Sequence, residues 1–524
     1  MITDPTPIAD YLLILPVVLP LIGAALLLLL RDRRVPHALI AMVVVLGMFV
    51  SEYVLLGRVL EAGPVSMTMG RWLPPFGISF TADVAGAGFA LTAAFVTLLL
   101  LVYSLAGQRR GAAHEGAHAL TLLLLAGVSG SFLTGDLFNL YVWFEVMLIA
   151  SFGLLVLDGR NTAVDGAVKY GFPNFLATTL FLVALGLLYG LLGTLNMADI
   201  IRVAPSADPV AMTAIAALLL LAFGMKSAAF PVNGWLAASY HTPPAHVAAL
   251  MAGLLTKVGV YALFRTMLAL LPQSRDLLDP VITTIAVLTL VLGPLSAIAE
   301  TNLRRALGFI LIGGIGAALA GISLPSVAGV AGGGLYIFHA MLTMSALYLI
   351  AGLIEAVTGE IDSRKMGGLY GASSGLSILF FVMMLAAAGV PPLLGFWPKL
   401  LLLQAAFGRA GFAVPAGPDL WGVALIVALL LNAVLTLIAG TRLWAHIFWR
   451  QGSIGRTSEQ HNTRLRRFTT GERTVALGAT AVLAAAIIVV GLVPKTLFDA
   501  SEVLARDMLD PARYVAATGL EATR

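Results

Sequence analysis

Long apolar stretches recur along this chain, separated by short polar segments. Each is close to the roughly 20 residues a helix needs to cross a bilayer. About fourteen spans are predicted, at 11–30, 36–57, 82–106, 116–134, 137–157, 168–192, 210–239, 244–271, 279–299, 305–323, 327–357, 373–409, 418–449 and 475–497. Only Thr134-Gly135-Asp136 divides the fourth from the fifth, and 305–357 is rich in glycine. Two spans carry helix breakers beside a lysine, Lys226 in one and Lys399 in the other. Pro231 and Gly234 interrupt the seventh, and Pro391, Pro392, Gly395 and Pro398 the twelfth. Proline removes a backbone donor and clashes with the preceding turn. In lipid, such a break is tolerated only where protein or water satisfies the freed groups.

The pattern predicts an all-α polytopic membrane protein. Spans 4–8 and 9–13 form two blocks of five, each with its broken helix in fourth place. An odd number of spans per block inverts the second, and paired broken helices point to a transporter's binding site. The expected organisation is 1–115 for three N-terminal helices, 116–275 and 276–450 for the two repeats, and 451–524 for a basic loop, a last helix and a tail. The N-terminus lacks a basic region ahead of its first apolar run, so that run reads as a retained helix.

Composition agrees. Hydrophobic residues make up 59% of the 524, charged residues 11%, and the mean hydropathy is +0.96. Soluble domains carry about 25% charged residues. The net charge of +4 indicates no nucleic-acid surface. The absence of cysteine excludes disulfides, thiolate metal sites and cysteine-held iron–sulfur clusters in this chain. Gly332-Gly333-Gly334-Leu335 lacks the lysine–serine pattern of a phosphate-binding loop and reads as helix packing. Of the 31 lysines and arginines, 18 fall in odd-numbered loops and nine in even loops plus the tail. The odd loops, including the basic stretch Arg450–Arg473, are therefore expected to be cytoplasmic and both termini outside.

The remaining basic residues, Lys226, Lys257, Arg265 and Lys399, lie within spans, as does Glu145. A charge at the bilayer centre costs about 2.5–3.5 kcal/mol on insertion scales and is functional by default. Glu145 and three of these lysines stand out. Lysines near span ends can snorkel to the interface, a reading open for Lys399 if its helix ends early. Lys226 and Lys257 have apolar neighbours on both sides. Glu145 is also open to a structural pairing with Lys226. Histidines form a second tier, because imidazole relays protons near neutrality. His246 stands at the entrance to the eighth span and His339 inside the eleventh; helix packing is the plain alternative for His339. His246 precedes Lys257 by about three turns, which would place both on one side. A glutamate–lysine pair followed by lysines and histidines fits a proton pathway, since each charge changes the proton affinity of the next.

Particular stretches carry a family resemblance. They include Trp72-Leu-Pro-Pro-Phe-Gly-Ile with Thr81-Ala-Asp83, Tyr141-Val-Trp-Phe-Glu145, and Phe223-Gly-Met-Lys226 through Pro231-Val-Asn-Gly-Trp235. They continue with Ser239-Tyr-His-Thr-Pro-Pro-Ala-His246, Lys257-Val-Gly-Val-Tyr261, Thr301-Asn-Leu-Arg304-Arg305 and Gly389-Val-Pro-Pro-Leu-Leu-Gly-Phe. Over roughly residues 70–400 the chain resembles the antiporter-like subunits shared by Mrp-type multisubunit sodium/proton antiporters and respiratory complex I, nearest the D-type subunits of the former. The resemblance implies an ion pair between a fifth-helix glutamate, Glu145, and a seventh-helix lysine, Lys226. It implies relays at Lys257 and His339 and a terminal lysine, Lys399, with His246 near the entrance. Members often carry a lysine shortly after the eleventh-helix histidine; here Ala340-Met341-Leu342-Thr343-Met344-Ser345 is uncharged. The serine–histidine pair that follows the basic dipeptide in complex I is also missing after Arg305.

The function implied is proton translocation within a sodium/proton antiporter complex in a bacterial plasma membrane. That makes the chain a secondary transporter subunit, not an enzyme, with no cofactor and no metal site. Its partners would be other subunits of a hetero-oligomeric complex, the lipid bilayer, protons and monovalent cations, sodium first. The alternative is a membrane-arm subunit of a redox-driven pump, complex I-like or a membrane-bound hydrogenase, distinguished by iron–sulfur or flavin subunits that co-purify. A third class is a scaffold whose buried charges only pair; charge deletions would then disrupt assembly instead of transport.

Overall fold

The structure, a computed structural model, describes residues 7–30, 36–72, 75–106, 116–157, 159–412, 417–450 and 469–520. Arg31, Arg33, Arg34, Arg109, Arg110, Arg524 and residues 451–468 of the basic loop lie outside the described residues. The expected spans coincide with helices. These are α1 (Leu15–Leu29), α2 (His37–Ala62), α3 (Val84–Leu105), α4 (Ala117–Leu133), α5 (Leu137–Val156) and α6 (Asn161–Leu192). The short α7 (Met197–Val203) precedes α8 (Pro209–Ser227) and α9 (Gly234–Ser239). Next come α10 (Ala245–Leu270), α11 (Pro272–Ala299), α12 (Leu303–Ser323) and α13 (Val327–Thr358). The chain continues through α14 (Ser374–Ala388), α15 (Phe396–Ala410), α16 (Leu420–Trp449) and α17 (Thr470–Leu492), and closes with α18 (Lys495–Leu509) and α19 (Ala512–Ala517). Among the described residues, eleven helices are long and apolar enough to cross a membrane, and α1, α4 and α14 are shorter apolar helices.

Local chemistry sets the boundaries. Asp83, Asp136, Asp208, Asn302 and Ser326 each accept a hydrogen bond from a backbone N–H in the first turn of the helix that follows. Such caps satisfy donors that have no partner inside the helix. Asp136 thus separates α4 from α5 at the three-residue boundary legible in the sequence. Both expected breaks are present. α8 ends at Ala228, which is left-handed (φ 58°), and α9 starts six residues later. α14 ends at Gly389 (φ 87°), and α15 resumes at Phe396. The Phe230–Pro231 and Pro391–Pro392 bonds are cis.

Several elements depart from the sequence reading. α6 begins at Asn161, seven residues ahead of the expected start at 168, and within it Lys169 pairs with Asp165 at 2.6 Å. α11 begins at Pro272 and takes in Arg275. An antiparallel hairpin joins β1 (Val65–Thr68) to β2 (Ser79–Ala82), with Val65 opposite Ala82; four-residue strands leave little alternation to read. The mixed tail folds into α18 and α19.

α10, α12 and α13 are almost wholly enclosed, whereas α2, α6 and α17 expose long apolar faces. α13 packs against α10, α12, α15 and α18. Glycines let α11 and α12 approach closely. A Cβ on Gly293 would meet the backbone of Gly313, and one on Gly316 the backbone of Leu290. Lys257 and His339 therefore sit on two of the most buried helices of the fold, α10 and α13.

Candidate functional site

Glu145 lies about 12 Å along α5 at 1.5 Å per residue. It is partly buried, on a face it shares with the exposed Phe138, Val142 and Ile149. Lys226 sits in the last turn of α8, 5% exposed. The two interact electrostatically, but no direct ion pair joins them. Instead the Lys226 ammonium is 4.6 Å from the centroid of Phe144 and donates to Thr178 Oγ1 at 3.5 Å, the outer limit of a hydrogen bond. At the break, Met225 O accepts from the Trp235 indole N–H of α9 at 3.1 Å and from the backbone N–H of Ala228 at 3.1 Å.

Lys257 is 3% exposed in the middle of α10. A wide π turn over Met251–Leu255 precedes it, and its ammonium donates to Ala252 O, five residues back. Single π turns recur at functional positions. This one shifts the helical register by about one residue, or about 100°, so the 3.6-residue register expected to align His246 with Lys257 does not carry through. His246 is partly buried, with His118 and Arg304 as its titratable neighbours.

His339 is 2% exposed on α13. Its Nδ1 is 3.1 Å from Thr343 Oγ1, and its ring meets Tyr336 edge-on at 5.4 Å. The charged groups acting on it are Lys399 and Lys257. Its other nitrogen faces the second break, where a Cβ on Gly395 would sit 2.9 Å from His339 Nε2. Only glycine admits the imidazole there.

Lys399, in the first turn of α15, is 5% exposed. It does not snorkel. Its ammonium turns back to the end of α14 and donates to Ala388 O at 2.8 Å and Ala387 O at 3.4 Å. A cation there also suits the negative end of the helix dipole. Its stem passes Gly389, where a Cβ would lie 2.7 Å from Lys399 Cδ. Thus Lys257, His339 and Lys399 are brought together, Glu145 and Lys226 form a looser pair, and His246 stands at the head of α10.

Arg265 falls within a span drawn from the sequence but is given no role there, and further buried charges are not singled out at all. Arg265, 1% exposed, donates to Asp83 Oδ2 at 2.5 Å and to Tyr261 Oη at 2.9 Å, and Tyr514 covers its guanidinium at 4.8 Å. Arg304 pairs with Glu355 and donates to Pro243 O at 2.5 Å. Glu52, fully buried in α2, accepts from Ser129 Oγ at 2.9 Å. Glu52 and Glu355 lie in spans drawn from the sequence, so the criterion that picked out Glu145 would have found them. The pairing of Asp83 with Arg265 spans 182 residues and left no local signal.

Two discontinuous helices around a row of buried titratable groups define a class of ion-translocating membrane protein. A family described as NADH:quinone oxidoreductase/Mrp antiporter, TM, matches residues 134–415. The D subunit of the Na(+)/H(+) antiporter of Alkalihalophilus pseudofirmus is 34% identical over 505 residues, covering 96% of this chain and 98% of that protein. Among solved structures, a chain of the Mrp complex from Dietzia sp. DQ12-45-1b superposes with a TM-score of 0.86 at 27% identity, covering 98% of this chain and all of that one. A chain of an archaeal membrane-bound sulfane sulfur reductase shares the fold, with a TM-score of 0.85 at 24% identity and 97% of this chain covered. The chain belongs to the NADH:quinone oxidoreductase/Mrp antiporter family of transmembrane subunits.

Proposed function

We propose that this chain is the proton-translocating subunit, of D type, in a multisubunit Na+/H+ antiporter complex. The observation that carries the reading is the placement of His339. It lies under the charges of both Lys257 and Lys399, with its Nε2 against the second helix break. A proton gained or lost at either lysine then changes the proton affinity of the imidazole between them. His339, with Thr343 beside it, spans the stretch where the sequence has no further charge. Glu145 and Lys226 form the switch at the other end. They are close enough to interact and free of a locked ion pair, so protonation of one changes the setting of the other.

Near-full-length similarity to the D subunit of a Na(+)/H(+) antiporter supports the antiporter over the redox pump; the likeness to the sulfur reductase chain is one of fold. The exposed face of α5 supports a complex, because a carboxylate at membrane depth needs a protein neighbour. The loop charges support both termini outside. The halves 116–275 and 276–450, with their breaks in corresponding places, are the proposed inverted repeats. Replacing Glu145 or Lys226 with alanine should abolish proton-coupled sodium efflux in membrane vesicles while the complex still assembles. Exchange at normal rates in either variant sinks the reading.

A further inference from the structure

We propose that the C-terminal end of α16 holds the phosphate head group of an anionic phospholipid. The inference needs only that the chain crosses a membrane, and it is independent of the proton row. Along α16, Val434, Ile438, Arg442 and His446 stand four residues apart and follow one ridge of the helix. Val434 is 54% exposed and Ile438 46%, although both are aliphatic. Their side of the helix is turned to lipid, and the last two members of the ridge are basic. A ridge that runs from aliphatic to basic repeats the order of a phospholipid, chains first and phosphate last. In the orientation proposed above, the site lies in the cytoplasmic leaflet.

The donors at this end lack acceptors. Arg442 Nη1 and His446 Nδ1 are both buried, and neither has a hydrogen-bond partner among the described residues. A buried donor left unpaired is costly, so it marks a place where another molecule completes the bonding. The charge is also unbalanced. Arg442, Arg450 and Arg364 all act on His446. Asp362, the acid in that group, is engaged by Arg364, which donates to its two oxygens at 3.2 and 2.9 Å. Neither Arg442 nor Arg450 pairs with a carboxylate among the described residues. Guanidinium groups suit phosphate, because their parallel N–H donors match its oxygens.

Neighbouring elements fix the site at the membrane boundary. Arg450 O accepts from Gly368 N at 2.8 Å, which ties the end of α16 to the segment that carries Arg364. Trp444 donates to Ser377 Oγ of α14 at 2.9 Å, and its ring lies 5.3 Å from Phe381 and 5.4 Å from Trp449. Trp449 is 74% exposed. Exposed tryptophan at the end of a span sits at head-group depth. Arg473, at the start of α17, donates to Ser373 Oγ at 2.6 Å and joins that helix to the same end of α14. Basic pockets between helices at this depth attract anionic head groups.

The assembled complex, purified in detergent, should be titrated separately with phosphatidylglycerol, phosphatidylcholine and inorganic phosphate, and bound molecules counted by native mass spectrometry. Phosphatidylglycerol should be retained. Arg442→Gln combined with His446→Gln should weaken its binding at least tenfold and leave phosphatidylcholine unaffected. Arg450→Gln, at an exposed position that packing does not need, should weaken it severalfold. Equal retention of phosphatidylglycerol by the native and variant complexes overturns the site. Displacement of the lipid by inorganic phosphate assigns the donors to a soluble anion, and loss of a partner subunit from the variants assigns them to a protein contact; either result overturns the lipid assignment. Lipid counting does not depend on transport, so failure of the proton-row reading would appear only as normal flux in the Glu145 and Lys226 variants.

Discussion

The two helix breaks solve one problem in different ways. Each leaves backbone carbonyls at the end of a half-helix, deep in the fold, and each has a buried lysine nearby. At the first break, Lys226 belongs to the half that ends, and Met225 O there is met by Ala228 N–H and by Trp235 from the half that follows. The amine is released from that duty and left among Phe144, Thr178 and the field of Glu145. At the second break, Lys399 belongs to the half that follows and satisfies the carbonyls itself. Its ammonium is part of the joint. The second break is also clasped from outside the repeat: Trp397 donates to Gly491 O at 2.8 Å, and its ring meets Phe498 of α18 at 5.5 Å. Similar breaks thus give a lysine poised to answer a carboxylate and a lysine whose proton is tied to the geometry of the helix end.

Substitutions separate the two. Lys399→Met should lower sodium-driven proton movement more than tenfold and also destabilise the complex, since buried carbonyls lose their donor at about 1–3 kcal/mol. Lys226→Met should lower flux as far with a smaller loss in thermal melting of the purified complex; equal melting losses would erase the distinction. Trp235→Phe should do the reverse. It removes one of the two donors to Met225 O, costs about 1 kcal/mol, and leaves flux within a few-fold of normal. Phe144→Leu removes the ring beneath Lys226, a contact of about 0.5–2 kcal/mol. Its flux should fall severalfold with little change in melting. Thr178→Val should have the smallest effect, a change in flux of less than about threefold, because a 3.5 Å contact holds the ammonium weakly.

How far the sequence reached differs between these features. Both breaks were legible because prolines and glycines cluster there beside a lysine, whereas Pro20, Pro173, Pro280 and Pro294 lie inside continuous helices. The boundary at Asp136 was legible because a capping residue stood between two spans. Lys226, Lys257 and Lys399 stood out against a background where charge is costly. What their amines touch was not legible. Trp235 caps Met225 across ten residues and a bend, and Lys399 reaches back eleven residues through a turn that hydropathy does not describe. The register of α10 also eluded a 3.6-residue reading, because a π turn has no simple residue signature. The C-terminal segment looked featureless in sequence, yet its Tyr514 covers Arg265 and its Phe498 braces Trp397. Such partners meet only once the helices pack.

The most direct test of the central claim falls on His339, the imidazole proposed to bridge Lys257 and Lys399. In membrane vesicles holding the assembled complex, proton movement driven by a sodium gradient should be compared between the native chain and His339→Leu. A drop of more than tenfold at equal complex abundance is predicted; flux at the native rate would contradict the proposed pathway through Lys257, His339 and Lys399.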